Sequence, residues 1–572
     1  MNRGAISEKN KQTNKQTPPF MVGSDTPRMG GLILFRMSRK SFLFLMVFFL
    51  WLTFFCTQLF LLKHVENAEY RTEFQPISST VIQVTQPLNG DGVQEKSCVL
   101  RTVEKYTRYA AEAVAAAGKI QHRSRLRIAA FTRLWIAPIH KSGGMQLHAF
   151  QIYSQLAARG HYVHVFVTGP PGNYRRELMY CADPENNTAR VCKNPEARLV
   201  VQQVPSSENM GYSVAWMNNC VKAFNILHTK QPFDVVHSES WAAVPNIYQL
   251  RLPFAVTWHG SMLDWFRNEL NRIAHNYRVG RKAPGREMWK RMRDLAKAVA
   301  MEEYMLLTIP QHIVISDTAE RDLVEMQHVP RERIALIYNG VNTGIFHSRE
   351  GTWMRDAFLR SHGVPPEHFV VGCGGRLVEI KGHLQLSHAM RHIMEQYRNV
   401  TLLVTGEGAM GNIYASMRME GLSVVQLGML SQEELGTFYH AIDVFVDPFY
   451  QHHGLNTVMI EAALSEVPLV VTALGGALSV VPCTDYGRLF TVGDVMGLAR
   501  EILYYMLHPD EAKATARRAR ERAMKLFSSN VMVMHYESLL YRLVDHPPTL
   551  PNMTGDVVCI PVYPALCYRE VS

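Results

Sequence analysis

From residue 127 to residue 472 the chain alternates short aliphatic runs with stretches of helical period, and it does so in two successive series. Short apolar runs bounded by turn residues read as buried strands, and consecutive parallel strands need a crossover, usually a helix. In the first series, strands are expected over 127–133, 162–168, 234–237, 254–258, 312–315 and 334–338. Met145, Ala149, Ile152 and Leu156 share one face of a helix over 145–158, which makes 127–168 a βαβ unit. The second series places strands over 369–373, 400–405, 423–427, 444–446 and 469–472, with helices over 384–395, 411–419, 432–441 and 457–465. Two such series predict an α/β chain of two doubly wound parallel sheets, joined near 345–366. Ligands of these sheets bind beyond the carboxyl ends of the strands, so the expected site is a cleft between two facing domains.

The 572 residues are enough for two or three domains. A hydrophobic fraction of 47% excludes wholesale disorder and a multi-span membrane protein, and nine cysteines are too few for a disulfide-built scaffold. Residues 1–40 read as a disordered cytoplasmic tail. Residues 41–62 carry no charge over 22 positions. That length spans about 33 Å as a helix, close to the roughly 30 Å of a bilayer core. Arg36, Arg39 and Lys40 precede it, which orients the N-terminus to the cytoplasm. A cleaved signal peptide is the alternative, but the run is long and ends in Phe60-Leu61-Leu62-Lys63 rather than a small-residue cleavage site. The expectation is a single-pass signal anchor with a lumenal body, in the Golgi or else the endoplasmic reticulum. Residues 63–125 read as a polar stem with a short Ala-rich helix over 101–117. Sequons stand at Asn186, Asn399 and Asn552, and Cys181/Cys192 and Cys559/Cys567 are near enough to pair.

Three loops carry candidate chemistry. Gly143 and Gly144 stand between a strand and a helix, where bare backbone can approach a ligand and a helix start favours an anion; the same spacing also fits a plain tight turn. Arg376 follows the strand ending near residue 373, and Lys381 precedes the next helix. Two cations beside a helix start suit a diphosphate, though a solvated basic turn has the same spacing. Glu461 falls one turn into a helix after the Asp447-Pro448 loop, placed to accept ribose hydroxyls if it faces the cleft rather than solvent.

These residues resemble the GT-B glycosyltransferases of family 4. The likeness lies in Gly375-Arg376-Leu377 with Lys381-Gly382, Thr405-Gly406-Glu407-Gly408, Asp447-Pro448, Glu461-Ala462 and Gly475-Gly476. It extends to Gly143-Gly144 with His148, Asp234-Val235-Val236-His237, Thr257-Trp258-His259-Gly260 and Asn339-Gly340-Val341-Asn342. The resemblance implies transfer of a sugar from a UDP- or GDP-linked donor, with retention, to a glycan, glycolipid or polysaccharide. It implies an acceptor domain over 126–348, a nucleotide-sugar domain over 366–527 and a C-terminal extension over 528–572. By position, Arg376 and Lys381 would hold the diphosphate, Glu461 the ribose, and His259 the donor sugar. Gly143 and Gly144 would approach the ligand, with His453, Gly454, Leu455, Asn456 and Thr457 forming the donor loop.

The family's paired glutamates are broken here, because His453 stands where the first belongs, and Asn456 replaces a usual glycine. Altered donor binding is the expected result; a catalytically silent sugar-binding or scaffold protein is the alternative reading. No Asp-x-Asp marks a metal site, so neither metal nor cofactor is expected, and a front-face reaction would rely on Arg376, Lys381 and helix dipoles. The net charge of +10 concentrates in 267–297, where ten Lys and Arg face three acids for a local +7. An anionic acceptor or the lumenal membrane face suits this patch, as does plain solvation of a helix. Nucleic acid is excluded by the anchor and the lumenal placement.

Overall fold

A computed structural model of the chain describes residues 92–120, 123–135, 143–169, 177–183, 188–192, 198–205, 214–243, 250, 252–278, 285–348, 353–451, 454–548, 558–559 and 567–568. All fall within the compact unit Leu88–Ser572. The expected tail and anchor over 1–62 lie outside these residues, as do His453, Lys141, Ser142 and the sequons at Asn186 and Asn552. No helix of the described residues is long and apolar enough to cross a membrane.

The first domain opens after helix α1 (Gly92–Ile120) with β1 (Arg127–Phe131), α2 (Gly144–Ala158) and β2 (Tyr162–Gly169). β3 (Glu177–Asp183), β4 (Thr188–Cys192) and β5 (Leu199–Pro205) follow, then α3 (Val214–Lys230) and β6 (Val235–Glu239). β7 (Phe254–Trp258), α4 (Met262–Arg278), α5 (Arg286–Thr308), β8 (His312–Val314), α6 (Asp317–Glu325) and β9 (Ile334–Leu336) complete it. The sheet order is β4-β3-β5-β2-β1-β6-β7-β8-β9. Every residue of β7 is buried, as a strand covered on both faces requires. The expected all-parallel sheet is corrected at its edge, where β3 runs antiparallel to both β4 and β5. The hairpin adds strands that no alternation of helix and strand announces. Its register sets Cys192 opposite Met179, not opposite Cys181.

The second domain starts with α7 (Trp353–Ser361), ahead of the expected boundary at 366, and α7 packs on a helix of that domain. Then come β10 (Phe369–Cys373), α8 (His383–Gln396), β11 (Val400–Thr405), α9 (Gly411–Met419), β12 (Val424–Gly428), α10 (Gln432–Ala441) and β13 (Val444–Asp447). α11 (Thr457–Leu464), β14 (Leu469–Thr472), α12 (Ala477–Val480), β15 (Arg488–Phe490), α13 (Val495–Leu507) and α14 (Pro509–Leu526) follow. This sheet is wholly parallel, in the order β12-β11-β10-β13-β14-β15. Strand order reverses at β1/β6 in the first sheet and at β10/β13 in the second, and such switch points are where doubly wound sheets open a crevice.

α15 (Ser529–Asp545), expected as part of a C-terminal extension, crosses back and joins the first domain's core. Met532, Val533, Tyr536 and Leu540 pack with Ile128, Val163 and Val235. Glu537 accepts from His161 Nε2 and Arg159 Nε, both at 2.7 Å. The crossing is tight: Val341 N donates to Phe527 O at 2.8 Å and Ser529 N to Val341 O at 2.9 Å.

The expected stem is corrected as well. α1 is 29 residues long, and it packs along α14 and α15 rather than standing apart. Tyr109 is buried, its hydroxyl accepting from Tyr338 N at 3.1 Å and its carbonyl from His535 Nε2 at 3.1 Å. Lys105 pairs with Asp317. Aromatic residues at 106 and 109 within a polar segment give it an apolar face, and two helices of the body cover that face. Further along, β16 (Val558–Cys559) and β17 (Cys567–Tyr568) pair antiparallel and set Cys559 opposite Cys567. Cys483 is disulfide-bonded, while Cys220 and Cys373 are buried and free.

Candidate active site

The second-domain floor lies at the ends of β10 and β13. After Cys373 the chain turns through Gly374 and Gly375, the latter at φ +105°. A Cβ on Gly406 would meet the Gly375 carbonyl oxygen at 1.9 Å, so only glycine lets the two loops cross. Lys381 is buried, its ammonium 4.0 Å from the centre of the Phe449 ring. Burial pulls its pKa below the usual lysine value, and Asp447 opposes that pull. Asp447 ends β13, is itself buried, and accepts from Asn456 Nδ2 at 2.9 Å. Thus Asn456, in place of the family's glycine, is tied to the carboxylate behind Lys381. Arg376 is exposed at the rim, with its carbonyl held by His383 Nε2 at 3.1 Å.

Glu461 lies inside this floor, not on a solvated helix face: it is buried and accepts from the Tyr439 hydroxyl at 2.9 Å. Burial raises its pKa, while hydrogen bonds from Tyr439 and Thr457 and the charge of Lys381 act against the rise. Asn456 stands at the N-cap position of α11 with its side chain turned to Asp447, and Thr457, the first residue of the helix, bonds to Glu461. Leu455 is buried, and its carbonyl accepts from Asn339 Nδ2 of the first domain at 3.0 Å.

The first-domain wall lies at the ends of β6 and β7. His259 follows β7 and donates from Nε2 to Glu239 Oε2 at 2.6 Å. Glu239 ends β6 and is wholly buried; Ser240 after it takes φ +51°, a rare turn for a residue with a side chain. Glu239 Oε1 accepts from the Tyr153 hydroxyl at 3.1 Å. Burial pulls the Glu239 pKa upward, but the His259 hydrogen bond and the flanking imidazoles prevail and hold it at about 2. His148, on α2, meets the His259 ring edge to face at 4.7 Å, and burial lowers its pKa to about 3. His148, Glu239 and His259 bring metal-ligand-type atoms within 4.8 Å of one another, and hydrogen bonds within the protein already engage Glu239 and one nitrogen of each ring.

Gly143 caps α2 and Gly144 begins it; both are exposed, and a Cβ on Gly144 would meet nothing within 4 Å. Internal packing therefore does not demand that glycine. The two domains touch at Gly454, where a Cβ would stand 2.6 Å from the His259 carbonyl oxygen. Beside this contact opens a small pocket lined by His259, Ser261, Asp264, Glu302, Ser316 and Gly454, among others. The structure so gathers Lys381, Asn456, Thr457 and Glu461 on one domain and brings Gly454 against His259 of the other. Glu239 and Tyr536 are additions that loop spacing did not reveal. Glu239 had one signal, a carboxylate two residues past His237 at a strand end; Tyr536 had none, being 279 positions from its partner Thr257.

Residues 142–344 match the model of Glycosyltransferase Family 4, and residues 368–508 match that of Glycosyl transferases group 1. The chain is a family 4 glycosyltransferase. As such it transfers a sugar from a nucleotide-sugar donor. It is 25% identical over 357 residues to an uncharacterized glycosyltransferase of Methanocaldococcus jannaschii, covering 61% of this chain and 81% of that one. Against the 2-deoxystreptamine glucosyltransferase of Streptomyces kanamyceticus identity is 24% over 424 residues, or 69% and 99% of the two chains. In fold it is similar to sucrose-phosphate synthase from Thermosynechococcus elongatus, with a TM-score of 0.57 at 21% identity over 74% of this chain and all of that one. Anabaena HepE, solved with UDP, gives a TM-score of 0.52 at 17% identity over 73% and 100%. The two facing Rossmann-like sheets are the GT-B fold.

Proposed function

We propose that this family 4 enzyme moves its sugar with retention of configuration, from a UDP- or GDP-linked donor held on Arg376, Lys381 and Glu461, within the secretory lumen. The observation that carries the site assignment is the buried Lys381–Asp447–Asn456 group with Glu461 beside it, at the β10/β13 switch point. UDP is favoured by the HepE complexes, which hold UDP or UDP-glucose. In the reaction the bond from the anomeric carbon to the leaving phosphate oxygen breaks, and its electron pair goes to the phosphate. Lys381, Arg376 and the α11 amides offset that charge. The acceptor hydroxyl oxygen bonds to the same carbon on the same face, and its proton passes to the departing phosphate.

The acceptor is a glycan, glycolipid or polysaccharide, met on the first domain. Relatives act on targets as different as 2-deoxystreptamine and glycogen by their names. Residues 41–62 are proposed to anchor the chain in the Golgi membrane, with the endoplasmic reticulum as alternative; a disulfide at Cys483 suits an oxidising lumen. The alternative of a silent sugar-binding protein rests on His453 in place of the first glutamate. A panel of nucleotide-sugars assayed with the full chain, with Glu461→Ala and with His453→Glu, separates the two. Turnover that Glu461→Ala reduces at least about 10-fold is expected. Donor binding without turnover would favour the silent reading, and unchanged activity in Glu461→Ala would overturn the site.

A further inference from the structure

An asparagine at the N-cap of a helix ordinarily turns its side-chain oxygen onto the second or third amide of that helix. Asn456 holds this position on α11 with extended backbone, φ −84° and ψ 121°, yet makes no such bond. Its amide donates instead to Asp447 Oδ2 at 2.9 Å. Asp447 is buried at the end of β13, and a carboxylate that keeps its charge there can only accept. Burial raises its pKa, and the charge of Lys381 and the Asn456 bond both act against that rise.

An amide is the donor that suits this place. It satisfies one oxygen of a buried carboxylate without adding charge, so the negative charge of Asp447 remains available to Lys381. A glycine, which the family resemblance sets at 456, has no side-chain donor to give. An aspartate would bring a second carboxylate against the first. The neighbours of Asn456 are each tied elsewhere. Gly454 abuts the His259 carbonyl, the Leu455 carbonyl accepts from Asn339 Nδ2 at 3.0 Å, and Thr457 bonds to Glu461. Among the described residues, the Asn456 side chain is the link between this loop and Asp447.

We infer that Asn456 is a positioning residue for the donor's diphosphate: by joining Asp447 to the loop that enters α11, it fixes the carboxylate against which Lys381 is set. It acts on the phosphates through Lys381, and not on the nucleoside. The inference rests on the proposed placement of the diphosphate at Lys381.

Calorimetric titration of the full chain with UDP and with uridine tests it, since the ratio of the two dissociation constants reports on the diphosphate. GDP and guanosine replace them if the chain prefers that base. Asn456→Asp is expected to weaken UDP at least about 30-fold and Asn456→Gly about 5- to 10-fold, with uridine held within about 2-fold. The effect should vanish once Asp447 has no charge to hold. In an Asp447→Asn background, Asn456→Gly should change UDP affinity less than about 2-fold. A merely structural role would weaken both ligands alike and persist in that background. Should Asn456→Asp fail to fold, Asn456→Gly and the double variant decide. Joint loss of UDP and uridine, unchanged UDP affinity in Asn456→Gly, or an undiminished effect beside Asp447→Asn would overturn the inference. Lys381→Met separates it from the site assignment. If that change leaves the UDP-to-uridine ratio as in wild type, the diphosphate is not at Lys381 and both readings fall. If Lys381→Met collapses the ratio and Asn456→Gly does not alter it, only the inference falls.

Discussion

Gly454 stands so close to His259 that a Cβ added to it would lie 2.6 Å from the His259 carbonyl oxygen and 3.1 Å from Ile315 Cδ1. The loop entering α11 in one domain and the end of β7 in the other are in contact there, with no space for a methyl group. Gly454→Ala must push the loop off the wall, at a cost of about 1–3 kcal/mol in local packing. The expected result is a fall in kcat/KM of roughly 10-fold or more, with a drop of only a few degrees in melting temperature. Unaltered kinetics would show that the domains do not work in this contact.

Lys381 is the buried cation of the floor, and its replacement by Met keeps an unbranched apolar stem while removing the charge that stands over Phe449. A loss of about 100- to 1000-fold in kcat is expected, as for removal of one preorganised stabiliser of a leaving charge. Steady-state kinetics with the best donor of the panel measures it, and a loss confined to KM would reassign Lys381 to ground-state binding.

Glu239 has a folded pKa of about 2 against an ordinary value of 4.5. A depressed carboxyl stabilises the fold above its unfolded pKa, and that contribution is lost as pH falls through the folded one. The melting temperature of wild type should therefore exceed that of Glu239→Gln at pH 7, with the gap closing between about pH 4.5 and pH 2. A gap independent of pH would mean that the carboxylate is not held ionised.

Glu537 locks the returning helix α15 to the first domain through His161 and Arg159. Glu537→Ala leaves His161 buried without its partner, and about 3 kcal/mol of stability should be lost in denaturant unfolding. The effect falls on the first domain, although residue 537 comes after the whole of the second.

The hairpin of α4 and α5 leaves His259 directly and exposes Lys290, Arg293 and Lys297. If it faces an anionic acceptor, changing all three to Gln should raise acceptor KM several-fold, more so at low salt, and leave donor KM alone. Equal KM values at low and high salt would count against that role.

Much of the frame was legible because its signal is local. β7, β10, β11 and β14 have the bounds their apolar runs suggest, since a parallel strand buried on both faces reads as a near-continuous apolar run. The β3–β4 hairpin and β15 escaped because edge strands need no such run. α1 was underestimated at 101–117, as its polar outer face masks the buried stripe of Tyr106, Tyr109 and Ala113. Among site residues, Lys381 and Glu461 stand in motifs with fixed spacing to a helix start, and so could be singled out. Whether Glu461 was buried could not be read, because Tyr439, its partner, belongs to another helix.

By itself, then, the sequence determined the class of fold, the two-domain order and the loops that carry chemistry, all of which depend on periodicity and on neighbours a few residues apart. Tertiary structure alone decided which of those loops meet. It brought Gly454 against His259, carried α15 back across the molecule, and seated Tyr536 in the network that leads to Glu239. It also ionised Glu239 by setting Tyr153 of α2 and His259, just past β7, against its two oxygens. The reason is physical: a hydrogen-bond direction or a shifted pKa depends on every group within a few ångströms, and those groups are drawn from hundreds of residues of chain.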